Sequence, residues 1–383
     1  MHGTGWHAGS KAIVCGVAMA ALGAGAPAWG GTGAPADKPA GQAEAAVQVE
    51  NTSVMLFPIV KGGKWGYMDE KGKVVIEPQY DAAYDFSEGL ACVIVNNWRG
   101  FIDRTGAMAI KPDLAWAGRF TDGFAPVYNE KSGFAGRPQF YKPTSGRFCC
   151  IDRTGKVQPF GCSTAGFREG KTVADRKRCI GTDGKEIKHD AEELHLFSEG
   201  LAGARKGGTW GFLDHAMTWA IAPQFHAVDQ FSEGLAAVAK ADTPPPESGP
   251  GWEWLKRRKL IWGFCDKSGK LVVDYQFEDA WPYAEGLASV RKGGKWGYCD
   301  KTGRIVIEPA YDHAWPFSEG RGRVLLGEKQ GFIDKSGAMV IHPQFTPAWE
   351  FSRGLARVGV KDGEGCKEGY IDPSGKYVWE PTR

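Results

Sequence analysis

The segment Leu287-Ala-Ser-Val-Arg-Lys-Gly-Gly-Lys-Trp296-Gly297-Tyr298-Cys299-Asp300-Lys-Thr-Gly303-Arg-Ile-Val-Ile-Glu308 decides the fold. Leu287 to Arg291 alternates like a strand and Lys292-Gly293-Gly294 is a turn. Lys295 to Asp300 is a second strand, Lys301-Thr302-Gly303 a second turn, and Arg304 to Glu308 a third strand. Asp-x-x-Gly between strands is a type I turn followed by a left-handed glycine, with the Asp side chain accepting from the turn amides. Pro309 cannot donate to a ladder and is expected to end the third strand.

The same hexad recurs around Gly66, Gly100, Gly211, Gly263, Gly297, Gly331 and Gly369, and Gly263, Gly297 and Gly331 follow one another at intervals of 34 residues. Each copy continues through a proline into a Phe-Ser-Glu-Gly-Leu-Ala segment, as at Phe86, Phe197, Phe231 and Phe317. Two degraded copies near Ile151 and Ile180 bring the total to about nine. Aligned on the glycine, the next residue is always aromatic (Tyr67, Phe101, Phe212, Phe264, Tyr298, Phe332, Tyr370) and the one after it always apolar. Consecutive strand residues face opposite sides, so this strand is covered on both. The preceding position admits Arg99, Gln330 and Glu368 as well as Trp, which places that Trp across the sheet rim beside the glycine.

These features resemble the WG-repeat (KWG-type) family, found widely in bacteria with variable copy number. The resemblance covers residues 54–383 and implies a repeat scaffold. The expected fold is all-β: a tandem array of three-stranded antiparallel meanders, elongated or curved. A closed β-propeller is the alternative, since three-to-four-stranded units also radiate about an axis. The degenerate repeats span 148–204, and insertions run from 129 to 147 and from 241 to 260. Such insertions map to one side of an array, as binding loops or as tolerated surface loops.

Residues 1–28 read as a signal peptide: Lys11, an apolar run from Ala12, and Ala26-Pro27-Ala28 with cleavage after Ala28. Residues 29–53 form an Ala/Gly/Pro-rich flexible linker. The protein is therefore expected in the periplasm or outside the cell, with no stable membrane span after signal removal. The 383-residue chain has 47 Lys and Arg against 45 Asp and Glu, a balance that gives no reason to expect nucleic acid as partner.

Export makes disulfides permissible, and the degraded copies supply the pool for any that form: Cys149, Cys150, Cys162 and Cys179. Cys265 and Cys299 occupy equivalent slots three strands apart and are expected to stay unbonded as core residues. No cysteine pair has zinc spacing with a histidine, no nucleophile motif or phosphate loop is present, and no metal or cofactor is expected. The recurring carboxylates Asp69, Asp103, Asp214, Asp266, Asp300, Asp334 and Asp372 are turn residues. Glu88, Glu199, Glu233, Glu285 and Glu319 precede a turn glycine and read as solvated.

One further slot holds Trp281, Trp315 and Trp349, with Tyr84 in the first copy, Gly118 in the second and Asp229 in the fifth. Exposed, the tryptophans would stack on sugar rings or apolar side chains; buried, they would fill the seams between repeats. With Trp252, Trp254 and the basic run Lys256-Arg257-Arg258-Lys259 they form the candidate binding surface. The reading that follows is a non-catalytic scaffold meeting protein or glycan, against a structural cell-envelope role and, third, a glycan hydrolase using paired carboxylates.

Overall fold

The computed structural model describes residues 54–128, 148–242, 259–363 and 365–383. From Val54 onward the chain forms one unit of nine small antiparallel sheets. In seven of them four strands, here A to D, follow in sequence order. The seventh sheet is Asp279–Ala280, Ala288–Lys292, Lys295–Cys299 and Ile305–Tyr311; the eighth is His313–Ser318, Arg321–Leu326, Lys329–Ile333 and Met339–Phe345. The ninth is Ala348–Ser352, Leu355–Asp362, Gly365–Ile371 and Tyr377–Thr382. The first sheet (Phe57–Lys61, Lys64–Met68, Val74–Tyr80) and the fourth (Lys171–Ala174, Arg178–Gly181, Glu186–Ile187) have strands B to D only. Among the described residues no helix is long and apolar enough to cross a membrane.

Three expectations change here. The Phe-Ser-Glu-Gly stretch, read as a loop, is the end of strand A and the A–B turn; it pairs with strand B of the sheet that follows the proline. The proline does not end strand D, which runs through Pro309 from Ile305 to Tyr311. It can do so because the ladder bulges there: Tyr298 pairs with Ile307 but Trp296 with Tyr311. Inside that bulge lies the reason for the motif glycine. A Cβ on Gly297 would stand 2.4 Å from the Ile307 carbonyl oxygen and 2.7 Å from the Pro309 nitrogen, and Gly66, Gly100, Gly211, Gly263, Gly331 and Gly369 meet the same obstruction. The glycine admits strand D rather than making room for the Trp. The tryptophans Trp210, Trp262 and Trp296 are accordingly buried, not lying on a rim. Where the slot is polar, partners are supplied: Arg99 donates to the Ala115 carbonyl at 2.8 Å, and Glu368 accepts from Arg357.

The largest change concerns closure. The array is a ring, a nine-bladed propeller, and not an elongated stack. In successive sheets the C–D turn glycine packs on strand D of the preceding sheet: Gly106 on Ile76, Gly303 on Val273, Gly375 on Ile341. Gly72 of sheet one makes that same contact with Val378 of sheet nine. Around it, the Tyr370 hydroxyl donates to the Pro58 carbonyl at 2.9 Å, Gly63 N donates to the Arg383 carbonyl at 3.1 Å, and Phe57 meets Tyr370 edge-on at 5.6 Å. Thr382 donates to the Val60 carbonyl. Pro58, without an N–H and with its carbonyl taken, also blunts the edge that a missing strand A leaves in sheet one.

Strand A lies on the inside, because neighbouring first strands touch through a serine hydroxyl donating to the next sheet's carbonyl. Examples are Ser87 to Phe120 (2.6 Å), Ser232 to Tyr283 (2.7 Å) and Ser318 to Phe351 (2.7 Å). The core is therefore divided among the seams between sheets. Most seams are filled by aromatic pairs such as Phe264 with Tyr283 (4.6 Å) and Tyr298 with Phe317 (4.8 Å).

The A–B turns carry a second, polar ring. Each is a two-residue turn with both central residues at positive φ, for example Glu233 at 54° and Gly234 at 86°. A non-glycine residue there is strained by about 1 kcal/mol or more. The compensation is a latch. Glu233 N and Gly234 N donate to the two Glu199 carboxylate oxygens at 2.5 and 3.0 Å. The contact repeats from Glu88 to Gly123, Asp122 to Gly170, Glu169 to Gly200, Glu233 to Gly286, Glu285 to Gly320 and Glu319 to Gly354, all at 2.8–3.0 Å. A cation from the next C–D turn joins each of several: Lys267 to Glu199 (3.3 Å), Lys301 to Glu233 (3.2 Å), Lys335 to Glu285 (3.1 Å). These glutamates, read from sequence as solvated, are inter-blade ties.

A pH dependence follows. For Glu199 burial pushes the carboxyl up, but the Gly234 amide, Lys267 and the Glu233 amide together hold it below the ordinary value. Asp300 is held low first by the Thr302 hydroxyl, then by the turn amides, with Asp266, Asp334 and Asp372 alike. Folded values below unfolded ones mean stability that is present above pH about 4 and lost as pH falls through the depressed range. His195, whose pKa burial lowers to about 4, adds a loss that starts below pH about 6.5, so thermal stability should decline from there and drop more steeply below about 4. A melting temperature that holds or rises down to pH about 2 would contradict this.

Candidate functional site

The turn aspartates are where the sequence placed them. Asp300 Oδ1 accepts from Thr302 N (2.9 Å), the Thr302 hydroxyl (2.6 Å) and Arg304 N (3.2 Å), and Gly303 takes φ 82°. Asp69, Asp103, Asp266, Asp334 and Asp372 repeat the pattern, and Asp214 caps its turn through Thr218. Among the described residues no group of His, Cys, Asp and Glu is arranged to hold a metal. Cys150 and Cys162 form a disulfide across strands C and D of sheet three. Cys149 and Cys179 are free thiols, and Cys265 and Cys299 are free and fully buried. Burial pushes the Cys265 thiol up to about 12 and Cys299 to about 11, so neither is a nucleophile at neutral pH. His195, packed at 4.4 Å on Trp210, has its pKa lowered to about 4 by burial and stays neutral.

Trp281, Trp315 and Trp349 stand at one register position, three residues before Ala284, Ser318 and Ser352 of the A–B turns, in sheets seven, eight and nine. Tyr84 holds that position in sheet two, followed by Gly118, Ala165, His195 and Asp229 round the ring. Among the described residues sheet one has no strand A, and Arg353 of sheet nine reaches the Phe86 carbonyl of sheet two at 3.5 Å. Ring closure thus sets Tyr84 next after Trp349, and four consecutive inner strands carry an aromatic. Chain order hides this, since Tyr84 is the first copy and Trp349 the last.

The four rings are not equally free. Trp281 and Trp315 are half-buried, and Trp281 packs against the seam of sheet eight. Trp315 stacks on His313 at 4.2 Å, with the Arg323 guanidinium 3.8 Å from its centre. Arg323 is itself fixed by Gln330 (2.9 Å) and the Ala348 carbonyl (2.5 Å), and burial lowers its pKa to about 10. Arg357 lies 4.8 Å from Trp349 and 5.0 Å from Trp65 of sheet one, a second bridge across the closing seam. Trp349 is 36% exposed and Tyr84 47%. The stripe is therefore seam-packed at Trp281 and Trp315 and open at Trp349 and Tyr84.

Trp252 and Trp254 lie outside the described residues, as do residues 1–28, read as a signal peptide, and residues 129–147. The ends of both insertions are fixed nonetheless. They join strand B to strand C in sheet three (Phe124–Tyr128 to Phe148–Asp152) and in sheet six (Leu235–Ala241 to Leu260–Asp266). Both therefore leave from the B–C edge, opposite the carboxylate latches.

A family model described as WG containing repeat matches residues 65–97, 100–131, 192–210, 210–242, 262–296, 296–329 and 331–363, more than half of the chain. A search of curated proteins finds no match. Among solved structures, a eukaryotic initiation factor superposes with a TM-score of 0.55 at 12% identity, over 85% of this chain and 95% of that one. That is a likeness of fold alone. PorZ, a surface component of the type-IX secretion system of Porphyromonas gingivalis, gives 0.33 at 8% identity over 78% of this chain and 44% of its own. The Neurospora crassa Pan2 WD40 domain gives 0.31 at 13% identity, over 62% and 82%. With seven matched repeats spread round one ring, the chain belongs to the WG containing repeat family.

Proposed function

We propose that the protein is an exported, non-catalytic binding scaffold whose inner aromatic arc, open at Trp349 and Tyr84, meets a protein or glycan partner. The observation that carries this reading is the exposure of those two rings on inner strands that ring closure makes neighbours. Indole and phenol faces held on a rigid backbone suit stacking on sugar rings or on apolar side chains.

The structure also changes which residue tests the idea. Trp315 is clamped between His313 and Arg323, so Trp315→Ala removes packing whatever the ligand does. Trp349→Ala with Tyr84→Ala is the better probe. The double variant should cut capture on a glycan or protein array at least tenfold while the melting temperature moves by only a few degrees. Full capture by the double variant would dismiss the arc as the recognition surface.

A further inference from the structure

We propose a second site: the A–B turn of sheet two, with Arg104 and Arg353, receives a carboxylate supplied by a ligand. Strand register assigns this site independently of the aromatic arc. Phe57 pairs with Met68 as Ala91 pairs with Ile102 and Ala288 with Cys299. Three residues earlier, Val54 therefore occupies in sheet one the place of Glu88 and Glu285. A backbone contact supports the equivalence. Arg104 Nη2 donates to the Val54 carbonyl at 2.6 Å, as Lys267 donates to the Glu199 carbonyl (2.9 Å) and Lys301 to that of Glu233 (3.0 Å).

At seven junctions the preceding sheet sends a carboxylate onto the turn amides of the next. At this one the chain offers valine. The receiving half is nonetheless built. Glu88 and Gly89 have φ 52° and 86°, the conformation that turns both amides onto one carboxylate in Glu233-Gly234 and Arg353-Gly354. Among the described residues neither amide has an acceptor side chain. Arg104 stands where the latching cation stands elsewhere. Arg353, the one basic residue in the glutamate series, approaches from sheet nine to 3.5 Å from the Phe86 carbonyl. Two aligned amides and two guanidinium groups on an exposed turn form an anion cradle, and the chain's own sevenfold precedent for its occupant is a carboxylate.

The carboxylate can come from a sugar acid or from a peptide terminus, and the test separates them. Ligand-observed NMR on the full chain would use glucuronate against glucose, and N-acetylalanine against its amide. At least one acid should bind ten times or more tightly than its neutral counterpart, and the better of the two names the source. Arg353→Gln and Arg104→Gln should each weaken it at least tenfold. Lys301→Gln, at a junction that already holds Glu233, should leave it unchanged. Because Arg104 also ties Val54, melting temperatures accompany each variant, and Arg353→Gln alone is decisive if Arg104→Gln unfolds. Equal binding of acid and neutral probes, or undiminished binding by folded Arg353→Gln, overturns the proposal.

Discussion

Replacing Gly297 by alanine is expected to destabilise the protein by about 3 kcal/mol or more, where glycine to alanine in a strand ordinarily brings a small gain. The added methyl meets backbone, the Ile307 carbonyl at 2.4 Å and Pro309 at 2.7 Å, so no side chain can swing aside. Either the strand D bulge straightens or sheet seven opens. Straightening would shift strand D and move Ile307 and Tyr311 out of their seam. Gly293→Ala in the B–C turn is the control, because nothing lies within 4 Å of its Cβ and only its φ of 62° opposes the change. Denaturant titration of the two variants decides the matter. A Gly297 variant no less stable than the Gly293 one would mean that the bulge does not set the motif.

The second large effect belongs to the closing seam. Tyr370 is 5% exposed, meets Phe57, and hydrogen-bonds the Pro58 carbonyl. Tyr370→Ala should cost about 3–5 kcal/mol by loss of a buried aromatic. Tyr370→Phe keeps the ring, strands one buried carbonyl, and should cost about 1–2 kcal/mol. The same alanine change in an open array would fall on a terminal repeat with little on its far side and would fray only that end. Hydrogen exchange therefore adds a signature. In the ring, Tyr370→Ala should deprotect strand Phe57–Lys61 as well as strand Gly365–Ile371. Protection retained in the first strand would count against the seam.

Much of this was legible in the sequence. The Asp-x-x-Gly turns, the doubly covered strand beginning at each motif glycine and the count of nine units all follow from spacing and chemistry that repeat. Closure was not legible, for a physical reason. A period says that neighbours pack alike, and identical neighbour contacts serve a stack and a ring equally. Only the residues that break the repeat carry the difference: Pro58 at the seam, Val54 without a carboxylate, and Arg353 in a glutamate's place. Strand A escaped notice because in some sheets it is two residues long, as at Asp279–Ala280, and ends in a charged glycine turn that reads as loop. The roles of glutamate in that turn and of proline in strand D were misread alike, since each is explained only by a residue some 30 positions away or by a bulge. The aromatic stripe was found by period, but its fourth member, Tyr84, joins it only through the ring.

Ring closure requires sheet nine to pack on sheet one. Lys61 and Arg383 are exposed and each follows a residue of the contact between Val60 and Thr382. Spin labels on Lys61→Cys and Arg383→Cys, read by pulsed electron resonance, measure the seam directly. A closed ring predicts a single population with labels within about 20 Å. Nine sheets stacked at about 10 Å each would hold the two ends roughly 80 Å apart, and a distance of that order would contradict the ring.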